Sequence, residues 1–121
     1  MKALLVVAHG SRRAESNDEI RQFTACLERQ ADAAFGHVRC AFLELAEPLI
    51  PDGLREAIRA GAGEVVVVPY FLSAGRHVIT DIPAGVDSVR REYPGLKITI
   101  APYLGASAGL IDLLLQQAQA V

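Results

Sequence analysis

Four short apolar runs, separated by longer segments of helical period, constrain this chain more than any other feature. The runs are Ala3 to Ala8 (ALLVVA), Val38 to Leu45 (VRCAFLEL), Val65 to Val68 leading into Pro69-Tyr70-Phe71, and Lys97 to Ala101 (KITIA). The first and third are apolar throughout, as strands covered on both faces of a parallel sheet are. The fourth alternates, as a partly exposed strand does. Between the runs, Ile20, Phe23, Leu27, Ala31 and Ala34 form a helical stripe. A second, short helix opens near Pro48 to Pro51, carries Leu54, Ala57 and Ile58, and stops at Gly61. In the third, Ile79, Ile82, Val86, Val89 and Tyr93 make one face, with Pro83 in the first turn and Pro94-Gly95 at the end. The fourth runs from Ser107 through Leu110, Ile111, Leu114, Leu115 and Ala118. Strand then helix, four times over, predicts one three-layer α/β domain across residues 1–121: a four-stranded parallel sheet with helices on both faces.

Composition narrows the function classes. A chain of 121 residues fits one domain. Twelve Lys and Arg against fourteen Asp and Glu leave a net charge of −2, without the basic excess that a nucleic-acid or anionic-membrane surface needs. No stretch approaches the roughly 18 apolar residues of a membrane span. The run after Lys2 is shorter than the core of a secretion signal, about 7–15 residues, and ends in His-Gly-Ser-Arg-Arg rather than a cleavage site. Cys26 and Cys40 lack metal or redox spacing, so a reducing cytoplasm is expected.

In such sheets ligands sit beyond the carboxyl ends of the strands. His9-Gly10-Ser11-Arg12-Arg13 follows the first run, and Glu44 closes the second. Leu72-Ser73-Ala74-Gly75-Arg76-His77 follows the third, and Pro102-Tyr103-Leu104-Gly105 the fourth. The topology therefore brings His9 and His77 to one rim. Neutral imidazole is a ligand for Co, Ni, Fe and Zn, and two imidazoles with one carboxylate leave coordination positions open. Either histidine can equally be a loop residue satisfied by a hydrogen bond. Glu44 reads as a third ligand, a proton acceptor or simply a strand-end carboxylate. Arg12, Arg13 and Arg76 beside the histidines point to an anionic ligand or are ordinary surface arginines; Ser11 and Ser73 offer further donors. His37, at the entry of the second run, belongs to the opposite rim and reads as structural. No GxGxxG, GxxxxGK or GxSxG is present, so dinucleotide, triphosphate and serine-hydrolase readings lack support. The Arg that precedes His-Gly in phosphohistidine phosphatases is Ala8 here.

AHGSR at the first strand end, FLE near the second, VVVPYFLSAGRHVITDIP across the third and the PYLG turn together resemble the small CbiX-type sirohydrochlorin chelatases. The resemblance covers nearly the whole chain. It implies a class II chelatase that inserts a divalent metal into sirohydrochlorin without ATP or a prosthetic group: Co²⁺ in cobalamin biosynthesis, with Fe²⁺ or Ni²⁺ in relatives. The histidines of HGS and GRH, here His9 and His77, are the implied metal ligands; because insertion releases two pyrrolic protons, they are also expected to accept these, with Glu44 assisting. Ser11, Arg12, Arg13, Ser73 and Arg76 would engage the carboxylate border of the macrocycle, and Phe71, Leu72 and Leu104 its flat face. Small members of the family pair as homodimers, and the Leu-rich last helix is broader in apolar surface than one stripe requires. The competing reading is a non-catalytic metal-binding dimer of the same fold.

Overall fold

The computed structural model describes residues 1–121. Four parallel strands, β1 (Lys2–Ala8), β2 (His37–Phe42), β3 (Glu64–Pro69) and β4 (Lys97–Ile100), lie in the order β2-β1-β3-β4. Four helices connect or follow them: α1 (Ala14–Ala31), α2 (Ile50–Arg59), α3 (Ile82–Glu92) and α4 (Ala108–Gln119). The central position of β1 follows from its sequence, since Ala3 to Ala8 are all buried and can face helices on both sides. No helix is long and apolar enough to cross a membrane.

Alternation along the strands divides the core in two. Ala3, Leu5, Val7, Val65, Val67 and Ile98 point to one side, against Ile50, Leu54 and Ala57 of α2 and Ile82, Val86 and Val89 of α3. Each fully buried Leu, Ile or Val there contributes about 1.5–3 kcal/mol. Leu4, Val6, Ala8, Val38, Cys40 and Phe42 point to the other side, where Ile20, Leu27 and Ala31 of α1 meet them.

Five expectations need correction. The buried positions of α1 are the polar Asn17 and Thr24, whereas Phe23 is exposed and leans on Tyr70, ring centroids 5.2 Å apart. Thr24 is accommodated because its hydroxyl donates to the Ile20 carbonyl, and Ala34 falls in a separate short turn after the helix. β2 ends at Phe42 rather than Leu45: β1 turns away at Gly10, so no full ladder remains, and Leu43 and Glu44 only donate to the Ala8 and His9 carbonyls. β3 is fully covered on one face only; on the other, Val66 and Val68 are partly buried, because the α1 layer centres on β1 and β2. Ile79 lies outside the α3 face, since residues His77–Asp81 form a wider π turn before the helix, and Tyr93 at the other end is also exposed. Finally, α4 starts at the Ser107 cap as expected, yet it is not packed on the sheet: Ile111, Leu113, Leu114 and Leu115 are 51–67% exposed.

Candidate functional site

Two glycines shape the carboxyl rim of the sheet. Gly10 has φ +92°, and a Cβ there would collide with the Glu44 carbonyl, so only glycine lets the loop after β2 settle on the turn after β1. That contact sets Glu44 Oε1 3.4 Å from His9 Nε2, an ion pair whenever His9 is protonated. Gly105 plays the same part on the other half of the rim: its N–H donates to the Phe71 carbonyl, and a Cβ would meet the backbone of Leu72.

His77 opens the π turn and lies beside His9, with ring centroids 4.6 Å apart and planes tilted by 38°. The two imidazoles that the topology predicted on one rim are therefore in contact. Phe71 adds an aromatic wall 6.4 Å from the His77 ring. His77 Nδ1 is 2.7 Å from Asp81 Oδ2. Shallow recesses flank the pair. One, of about 190 Å³, is bordered by Glu44, His77 and Asp81; the other, of about 320 Å³, by His9, Ser16, Glu19 and Tyr70. Nowhere do three His, Cys, Asp or Glu side chains already enclose a point as a finished ligand set would. The site is open.

The remaining candidates divide by role. Arg12 and Arg76 are exposed and have no ion-pair or hydrogen-bond partner, while Arg13 Nε is 3.6 Å from Glu15 Oε2. Ser11 builds the turn: its N–H donates to Asn17 Oδ1 (2.9 Å), its carbonyl accepts from Asn17 Nδ2 (2.8 Å), and its Oγ accepts from the Arg13 N–H (3.0 Å). Ser73 and Leu72 are exposed, and Phe71 and Leu104 half-buried, at the same end of the sheet. His37 sits at the opposite end, where β2 pairs with Ala3. Its Nε2 is buried without a partner, and burial, helped by Arg39, pushes its pKa down. A cleft of about 330 Å³ between Arg21, Glu28, Arg39 and Glu56 contains neither rim histidine.

Sequence reasoning missed Asp81 and Asn17. The His-x-x-x-Asp spacing was a usable signal for Asp81, because residues four apart share a helical face. Asn17 looked like any polar helix position.

The CbiX family profile matches residues 3–121. A chloroplastic sirohydrochlorin ferrochelatase of Arabidopsis thaliana is 37% identical over 110 residues, which is 91% of this chain and 48% of that protein. A sirohydrochlorin cobaltochelatase of Sulfolobus acidocaldarius is 31% identical over 119 residues, 98% of this chain and 91% of its relative. Among solved structures, the sirohydrochlorin chelatase SirB from Bacillus subtilis subspecies spizizenii, in complex with cobalt, superposes with a TM-score of 0.86 at 27% identity, over 99% of this chain and 50% of that one. The chain thus spans about half or less of the length of several relatives it matches. With its parallel sheet, paired rim histidines and a match running over all but the first two residues, the chain belongs to the CbiX family.

Proposed function

We propose that this protein inserts a divalent metal, Co²⁺ in the first place, into sirohydrochlorin. The contact between His9 and His77 on one rim carries the reading. Insertion replaces two pyrrolic protons with one ion, so a site must both offer the metal and receive protons. Imidazole can do either. His9 and His77 hold the ion beneath the macrocycle and accept the departing protons, and Glu44, beside His9, assists. Arg12 and Arg76, free of internal partners, meet the carboxylate border together with Arg13, Ser11 and Ser73. Phe71, Leu72 and Leu104 face the ring. The metal is a substrate, and no prosthetic group is required. Cobalt is favoured over iron or nickel because the Sulfolobus relative, matched over 91% of its own length, is named a cobaltochelatase.

The working unit is proposed to be a homodimer in the cytoplasm, where the free thiols of Cys26 and Cys40 stay reduced. Recesses of about 190 and 320 Å³ are shallow for a flat tetrapyrrole, and the SirB chain is twice as long as this one. A second copy supplies the missing wall. The bare apolar residues of α4 and the partly covered side of β3 are the surfaces available for pairing.

The test is an insertion assay with sirohydrochlorin and Co²⁺, Fe²⁺ or Ni²⁺ in parallel, read by the change in macrocycle absorption. Co²⁺ is expected to react fastest, and His77→Ala to lower the rate about 10²-fold or more with the fold retained. Stoichiometric metal binding with an unchanged macrocycle spectrum would overturn the enzyme reading in favour of a metal-binding dimer.

A further inference from the structure

The two rim imidazoles have carboxylates on different nitrogens. Glu44 lies near Nε2 of His9, whereas Asp81 lies at Nδ1 of His77. The second arrangement is built into the backbone. Ile82 N–H donates to the His77 carbonyl five residues back, the mark of a single π turn, a feature frequent at functional sites. The turn places the side chains of residues 77 and 81 within 2.7 Å just before Pro83 and α3 begin. Asp81 has no other hydrogen-bond or ion-pair partner; no Lys or Arg competes for it.

An ionised carboxylate only accepts hydrogen bonds. Asp81 therefore requires the proton of neutral His77 to sit on Nδ1, which leaves the Nε2 lone pair free. We propose that Asp81 is a positioning residue: its carboxylate fixes the tautomer and ring orientation of His77 so that Nε2 is presented to the incoming divalent ion. This rests on His77 being a ligand of the substrate metal. Partners of this kind, one step behind a metal-binding imidazole, are worth about 10–100-fold in metal affinity or activity.

Co²⁺ titration calorimetry on the full chain tests the idea with wild type, Asp81→Asn, His77→Ala and the double variant. Asparagine keeps the shape but can present either a donor or an acceptor. Asp81→Asn is expected to weaken Co²⁺ binding about 10–100-fold and to raise KM for the metal, with KM for the tetrapyrrole unchanged. In the His77→Ala background the same substitution should add nothing, since the effect runs through the imidazole. In metal-free wild type with the imidazole neutral, long-range ¹H–¹⁵N spectra should show the proton of His77 on Nδ1, and Asp81→Asn should lose that preference while its thermal midpoint and helix content hold. Two results would overturn the proposal while sparing the ligand reading of His77: wild-type Co²⁺ affinity in Asp81→Asn beside a weakened His77→Ala, or an equal loss in both backgrounds. Wild-type affinity in His77→Ala would instead remove the ligand reading and the proposal with it.

Discussion

The two sides of the sheet are made from the same strands and finished differently. On the α2–α3 side fourteen buried apolar residues join strands and helices into one continuous core. On the α1 side only six do so, over β1 and β2, and the surface of β3 is left half bare. Further apolar residues stand bare on α4, where Ile111, Leu113, Leu114 and Leu115 face outward. The less covered side and α4 are the surfaces on which the proposed homodimer can be tested.

Core truncation on the closed side should give the largest effect. Leu54→Ala is expected to lower unfolding free energy by about 2–5 kcal/mol in urea titrations, because Leu54 is wholly buried among α3 and strand side chains. A loss below 1 kcal/mol would mean that the two sides differ less than their packing implies. On the open side, Leu114→Glu should weaken self-association at least about tenfold, roughly 1.4 kcal/mol, with helix content preserved. Light scattering at graded concentrations would read this, and an unaltered dimer would exclude that face of α4 from the contact. The smallest effect lies at the opposite rim. His37 has a lowered pKa in the folded chain, so below its ordinary value near 6.5 the unfolded chain takes up a proton that the folded one resists. Stability should therefore fall as pH drops from about 6.5 toward the lowered folded value, and His37→Phe should flatten that slope. Glu28, held low by its hydrogen bond to Arg39, loses its contribution as pH falls from about 4.5 toward its lowered folded value, so its window opens at lower pH than that of His37. Urea midpoints at pH 7.5 and 5.5 that change equally in both proteins would show that the slope comes from elsewhere.

The sheet, its parallel direction and the α2–α3 layer were legible because strand and helix periods differ, and because a strand buried on both faces must be apolar throughout. The shared rim of His9 and His77 followed from topology alone. Other features depend on what lies next to a residue, which periodicity does not encode. FLEL reads as strand to Leu45, but pairing stops where β1 turns at Gly10. The stripe on α4 marks an apolar helix without saying whose surface it covers. Ile79 fits a 3.6-residue period that the π turn interrupts, and the same turn carries the Asp81–His77 contact, which has no counterpart in the apolar pattern.

The glycine contacts at the rim fasten its loops in two pairs. Gly10 ties the loop after β1 to the one after β2, and Gly105 ties the loop after β4 to the one after β3. Each pair carries one imidazole, so His9 and His77 face each other across the line where β1 meets β3. On the proposed reading, an ion held by both imidazoles would bridge that seam and join two loop pairs that the glycines fasten separately.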